Sequence, residues 1–301
     1  MKIRSYAELE GGSSDLGDQV GRQQERVDER LAAVDSVVGV MSGKGGVGKS
    51  LVTAAVATAL AHRGMRVGVV DADLNGPSLV RMLGVARGGL AQSDTDIEPA
   101  RSAGGIALMS MALLVRDDAS VDWHEPAEAG FVWRGAQERG ALREFLSDVA
   151  WGSLDVLLVD LPPGTRRLVD LHELVPGLSG VLAVTIPSGA SGDAVARSLD
   201  LCARRGIEVF GIVENMSGYR CGGCGHVGPL HAGAAGDDLS ARFDVPVLTR
   251  LPLDPDLGDA AEEGRLSTWL REESETARVF AHLARTLAES MASDETAGGA
   301  R

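Results

Sequence analysis

Aromatic side chains are scarce, at 4% of 301 residues, too few for a platform that stacks nucleic-acid bases. Basic charge is also in deficit. Against 43 Asp and Glu stand 29 Lys and Arg, a formal net charge of −14. Such an acidic surface disfavours non-specific binding to nucleic acid or to an anionic membrane, and neither is expected as a partner. Long apolar runs are missing. The longest, Ile106 to Val115, is broken by Ser110 and falls well short of the roughly 20 residues that a bilayer span needs. At the amino terminus no apolar core precedes a small-residue cleavage site, so no secretory signal is expected. Cysteines number 3, an odd count that makes no disulfide framework. A reduced, cytoplasmic chain is expected, and its 44% hydrophobic content suits an ordinary globular core.

Residues 1–35 read as a polar N-terminal extension. Gly11, Gly12, Ser13 and Ser14 form a flexible break. Ser14 to Val34 has the makings of a weakly amphipathic helix, but its apolar residues are so sparse that a solvated segment is expected. Short, continuously apolar strands are expected from Val37 to Met41, Val67 to Val70, Val156 to Val159, Val181 to Ile186, Val209 to Val213 and Val247 to Leu251. That pattern belongs to parallel strands covered on both faces. Between them, Lys49 to His62 places Leu51, Val52, Ala55, Val56 and Ala59 at helical spacing, with Gly64 as the C-cap. Asp193 to Arg205 and Ala235 to Phe243 are also helical, and a last helix carries Val279, Phe280, Leu283, Leu287 and Met291 on one stripe. Asp96 to Val115 reads as a hairpin turning at Gly104-Gly105. No repeat or linker divides residues 36–292. The expected fold is a single α/β domain, a mostly parallel β-sheet with helices on both faces, and residues 293–301 are expected to fray.

Chemistry enters with Gly43-Lys44-Gly45-Gly46-Val47-Gly48-Lys49-Ser50, which fits G-x-x-x-x-G-K-[ST] and lies between a strand and a helix. Glycines let successive N–H groups surround phosphates, and the helix N-terminus adds its positive dipole. Lys49 is expected on the β- and γ-phosphates of ATP, and the Ser50 hydroxyl on Mg²⁺. Carboxylates at the carboxyl ends of parallel strands face the same crevice. Asp160 is assigned as the Walker B-type carboxylate acting on Mg²⁺ through water, Asp73 as the group that orients or activates the attacking water, and Asp71 as support for the metal shell.

Cys221-Gly222-Gly223-Cys224 forms a second centre, in which two glycines let the turn bring both sulfurs to one metal. One chain supplies only two thiolates, whereas a cubane or tetrahedral site wants four ligands. His226 and His231 would complete a zinc site within one chain, a symmetry-related cysteine pair would complete a four-cysteine site across a two-fold axis, and a redox dithiol needs neither. Cys202, inside an apolar helical pattern, reads as core.

Lys44, an extra cation inside the loop, resembles the signature lysine of the deviant Walker A ATPases, the group of MinD, ParA and the nitrogenase iron protein. The resemblance implies a homodimer in which this lysine reaches the partner's nucleotide. Within that group the chain resembles the Mrp-type iron–sulfur cluster carriers. The shared segments run in the family's order: Gly43 to Ser50, Asp71-Ala72-Asp73-Leu74-Asn75-Gly76-Pro77-Ser78, Trp133-Arg134-Gly135, Asp155 to Thr165, Val213-Glu214-Asn215-Met216-Ser217, the cysteine pair, and Leu251-Pro252-Leu253-Asp254-Pro255. The resemblance implies an ATPase whose Cys221 and Cys224, with those of a second subunit, bridge a [4Fe–4S] cluster passed to apo-proteins. It also implies that Asn215 contacts adenine.

The chain departs from the family pattern in four places. Arg166-Arg167 stand where Gly-Asp is usual, and Leu51 replaces a common Thr. Asp122 to Phe131 looks like extra length, and Ser188 to Gly192 is altered. Two other functions share the motif set. A positioning ATPase of the MinD or ParA sort calls for a basic terminal helix or DNA face, which Glu272, Glu273, Glu275, Glu289 and Asp294 oppose. An electron-transfer reductase like the nitrogenase iron protein draws its cysteines from well-separated positions, unlike the adjacent pair here.

Overall fold

Apolar runs too short for helices and unbroken by polar alternation bury both of their faces. In the computed structural model these runs form the middle of one sheet. The structure describes residues 15–86, 90, 96–114, 130–272 and 274–298. The chain enters through α1 (Asp15–Leu31) and β1 (Val34–Ser42), turns through the glycine loop into α2 (Lys49–His62), and continues with β2 (Val67–Asp71) and α3 (Leu79–Met82). A hairpin of β3 (Ala100–Arg101) and β4 (Ala107–Ser110) leads to a 3-10 turn, Met111–Leu113. Next come α4 (Gly130–Ser147), β5 (Leu154–Asp160), α5 (Arg166–Leu174), β6 (Gly180–Thr185) and α6 (Gly189–Arg205). The last part holds β7 (Val209–Arg220), β8 (Val227–Gly228), α7 (Ala235–Phe243), β9 (Val247–Leu253), α8 (Pro255–Glu262), α9 (Leu266–Trp269) and α10 (Glu275–Gly298).

The strands order as β3-β4-β2-β5-β1-β6-β7-β8, with β9 also on β7. All pairings are parallel except β3 with β4 and β8 with β7. Val56 and Leu60 of α2 pack with Trp269, Phe280, Leu283 and Leu287 on one face of the sheet. Leu142 and Phe145 of α4, Leu168 and Leu171 of α5, and Leu199 and Cys202 of α6 cover the other. Cys202 is fully buried, and burial pushes its thiol up to about 12, so it is core, as its helical pattern suggests. The hairpin turns where Gly104-Gly105 indicate, with Gly105 in the left-handed region at φ 81°. Among the described residues no helix is long and apolar enough to cross a membrane.

The amino-terminal segment departs from expectation. From Asp15 to Leu31 it is a helix laid on α4, with Val27 fully buried. Polar contacts do the rest. Arg26 pairs with Asp148 at 3.1 Å, Arg30 pairs with Asp96, and Gln24 donates to the Leu174 carbonyl at 3.0 Å. Arg30 Nε also donates at 3.2 Å to the carbonyl of Ser147 at the end of α4, where a cation satisfies an orphan acceptor. The solvated segment is thereby corrected for residues 15–31, and β1 starts before residue 36. At the other end α10 continues in helical form to Gly298, past the point where fraying is expected. The extra length from Asp122 onwards lies outside the described residues up to 129.

On α4, Glu144 is pushed up to about 7, first by burial and then by the Asp148 carboxylate, against the opposing charge of Arg143. Its Oε2 is buried without a hydrogen-bond partner. A carboxyl whose folded value lies above the unfolded one binds its proton more tightly in the fold. The associated stability is therefore present below the unfolded value and is lost as pH rises through about 7. Glu144→Gln is expected to match wild type in urea unfolding near pH 4.5 and to exceed it at pH 8 by up to about 3 kcal/mol. An advantage that is the same at both pH values would contradict this reading.

Candidate functional site

The glycine loop occupies the bend between β1, the central strand, and α2. Gly46 and Gly48 adopt φ 77° and 82°, a left-handed backbone that side chains resist. A Cβ at Gly43 would run into the α6 backbone at Ala194 and Val195, and one at Gly48 into Asn215 Nδ2. Gly48 caps α2 without a side-chain hydrogen bond, which leaves the first N–H groups of that helix to face an anion. Lys44 is exposed on the loop, and its carbonyl accepts the Ser42 hydroxyl at 3.1 Å.

Behind the loop lies a buried polar cluster. Asp160, at the end of β5 and fully buried, takes Lys49 Nζ at 2.6 Å and the Ser50 hydroxyl at 2.7 Å on Oδ2. Its Oδ1 takes the Thr53 hydroxyl at 2.6 Å. Thr53, one helical turn beyond Lys49, is missed by the motif and detectable only by that i,i+4 spacing. Asp71 is paired across the sheet with Asp160 and is 1% exposed. Its Oδ2 accepts the Leu79 N–H at 3.3 Å and the Ser110 hydroxyl at 3.2 Å, while Oδ1 is buried with no hydrogen-bond partner. Burial, and then the charge of Asp160, push Asp71 up to about 7 against the pull of the Leu79 N–H, Lys49 and Ser110. Asp73 lies further out, in the loop after β2, and its Oδ1 accepts the Gly76 N–H at 3.2 Å. Lys49, Ser50, Asp71 and Asp160 are thus gathered at the carboxyl ends of β2 and β5, with Asp73 at the rim.

β7 connects this cluster to the cysteines. Its apolar run ends at Val213, yet the strand continues to Arg220, with Glu214, Asn215 and Arg220 each held by a partner. The buried Glu214 accepts the Gly236 N–H at 2.7 Å and Arg250 Nε at 3.2 Å. Asn215 donates to the Val47 carbonyl of the glycine loop at 2.9 Å. Met216 takes φ 54°, and the pairing with β9 shifts register between Asn215 and Tyr219. Arg220 reaches Asp254 at 3.5 Å and Thr276 at 3.4 Å. Cys221 to Cys224 then form the tip of the β7–β8 hairpin, closed by Cys221 N–H to the His226 carbonyl at 2.9 Å and Gly225 N–H to the Cys221 carbonyl at 2.8 Å.

Cys224 is exposed and Cys221 partly so. The N–H groups of Cys224 and Gly223, and then the Cys224 thiol, hold the Cys221 thiol below its ordinary value, which favours the thiolate that binds metal. Among the described residues no three His, Cys, Asp or Glu side chains gather into a metal-holding group. The exposed large apolar side chains of the described residues, Tyr219, Val227, Leu230 and Leu253, all flank this tip.

The other departures from the family pattern also have structural partners. Arg166-Arg167 open α5, and a Cβ on Gly135 of α4 would collide with the Arg166 guanidinium, so α4 and α5 touch where that glycine sits. At α6, Ser188 is the N-cap, accepting the Ser191 N–H at 3.3 Å, so the helix begins at Gly189 rather than at Asp193.

Comparison with known proteins agrees with this geometry. The family model of the ParA-type NUBPL iron-transfer P-loop NTPases matches residues 33–288. An iron–sulfur cluster carrier protein of Saccharolobus solfataricus is 37% identical over 271 residues, covering 89% of this chain and 88% of the relative. The human cytosolic Fe-S cluster assembly factor NUBP2 is 41% identical over 239 residues, 78% of this chain and 85% of its own. Among solved structures, a nucleotide-binding protein of Archaeoglobus fulgidus in complex with ADP superposes with a TM-score of 0.68 at 34% identity, covering 82% of this chain and 93% of that one. MinD of Pyrococcus horikoshii, at 23% identity and a TM-score of 0.57 over 84% of this chain and 95% of that one, shares the fold. Because that family model covers residues 33–288, most of the chain, the chain belongs to the NUBPL-type iron-transfer P-loop NTPases.

Proposed function

We propose that the protein is an ATP-hydrolysing carrier that holds a labile [4Fe–4S] cluster between two copies of itself and passes it to apo-proteins in the cytosol. The observation that carries this reading is β7. Asn215 grips the glycine loop, and the same strand ends at Arg220, next to Cys221 and near all the exposed large apolar side chains of the described residues. An exposed apolar rim around two thiolates suits burial against a second copy, whose own pair brings the sulfur count to four.

In this account the N–H groups of Gly43 to Gly48 and Lys49 hold the ATP phosphates, with Lys49 exchanging Asp160 for them. Asn215 meets the adenine, and Lys44, exposed on the loop, reaches the partner's nucleotide. Mg²⁺ suits the site. The Ser50 hydroxyl and Asp160 carboxylate already meet at 2.7 Å, and Asp71 beside them keeps a buried oxygen without a hydrogen-bond partner. When bound, the cation supplies charge stabilisation for the phosphates. Asp73 orients the attacking water from the rim. Hydrolysis acts as a conformational signal, favouring one dimer geometry over another according to the nucleotide bound.

The carrier role is tested by transfer. Protein loaded anaerobically with iron and sulfide and mixed with an apo-protein that takes a [4Fe–4S] cluster is expected to activate it within minutes. Retention of the cluster through repeated reduction and oxidation, with no activation of the acceptor, would favour an electron-transfer reductase instead.

A further inference from the structure

Arg167 lies on α5, two residues beyond Thr165, and its burial demands anionic partners. Asp170 stands 2.6 Å away, and Glu138 of α4 pairs with it through Oε2. Arg167 Nη1 also donates to the Gly135 carbonyl at 3.3 Å. Arg139, next to Glu138, holds Asp170 at 3.4 Å and Glu173 at 2.6 Å, so alternating charges join α4 to α5. The other oxygen of Glu138, Oε1, accepts Asn75 Nδ2 at 3.0 Å. Asn75 belongs to the loop after β2, two residues from Asp73. One carboxylate therefore takes a donor from each side: from the loop that carries Asp73 and from the helix that follows Asp160.

We propose that Glu138 is a positioning residue for ATP hydrolysis, locking the Asp73 loop to the start of α5 so that both sides of the site shift together. The proposal rests on the reading of Asp73 and Asp160 given above. With Arg167 9% and Glu138 15% exposed, solvent screens their ion pair weakly. A carboxylate at position 167, as in the Gly-Asp pattern that this chain lacks, would face Glu138 and Asp170 with like charge. The latch thus belongs to a chain with a cation at that position.

The test compares steady-state ATP turnover in wild type, Asn75→Ala, Glu138→Gln, Glu138→Ala and the double Asn75→Ala, Glu138→Ala variant. Asn75 is exposed, so its truncation removes one arm without stranding a buried charge. Glu138→Gln keeps an oxygen for Asn75 while removing the charge that holds Arg167. Asn75→Ala and Glu138→Ala are each expected to lower kcat by about 5- to 20-fold with KM for ATP within about twofold of wild type. Glu138→Gln is expected to fall between them and wild type, and the double variant to fall no further than Glu138→Ala alone. If Glu138→Ala does not fold, Asn75→Ala and Glu138→Gln decide. Wild-type kcat in those two, losses that multiply in the double variant, or losses confined to KM would overturn the latch. Absence of turnover in the wild type would overturn the reading of the site itself.

Discussion

Lys49→Ala is expected to lower ATP turnover at least about 100-fold, the loss usual when one charged donor to a transition state is removed. Lys49 is 6% exposed, and Asp160 is its only ion-pair partner among the described residues. On the proposed reading the substitution therefore removes both the phosphate ligand and the cation beside a buried carboxylate. Asp160 still keeps the hydroxyls of Ser50 and Thr53, at 2.7 and 2.6 Å, so the folded chain is expected to survive, with reduced stability. Loading with iron and sulfide is expected to be retained, because the cysteine hairpin lies on another strand. The check is phosphate release by variant and wild type at equal concentration, alongside their unfolding curves. Turnover within about threefold of wild type in folded variant protein would mean that Lys49 does not hold the phosphates.

The second large effect concerns the hairpin tip. Cys221→Ser, Cys224→Ser is expected to abolish retention of iron and sulfide after anaerobic reconstitution and desalting, and to leave ATP turnover and unfolding near wild-type values. Serine is close in volume to cysteine, and these positions are partly or fully exposed, so no core contact is lost. The hydrogen bonds that close the turn run through backbone atoms, which the substitution preserves. Iron and sulfide in the variant equal to wild type would end the carrier account and leave a nucleotide hydrolase.

The sequence discloses those parts of the site that backbone geometry forces into fixed spacing. Gly46 and Gly48 need their left-handed conformations, Lys49 and Ser50 must follow at the helix start, and Cys221 and Cys224 must share one tight turn. The central strands are legible for the same reason, since a strand buried on both faces has no polar position to blur it. What is hidden depends on partners distant in the chain. The α1 helix docks through one fully buried valine and through arginines that meet Asp96 and Asp148, which no local pattern reveals. On α4, Gly135, Arg139 and Gly140 interrupt the apolar periodicity, and each of the first two has its reason on α5. β7 reads as ending at Val213, because the neutralisation of Glu214 by Arg250 and the Gly236 N–H is a tertiary event. The role of Thr53 beneath Asp160 is nearly as well hidden, since only its i,i+4 spacing from Lys49 points to it.

Native mass measurement of anaerobically reconstituted protein bears most directly on the shared cluster. The account predicts two chains carrying a single set of four irons and four sulfides, with iron and sulfide leaving together when the cluster is chelated. Iron carried by isolated single chains, or zinc in its place, would contradict it.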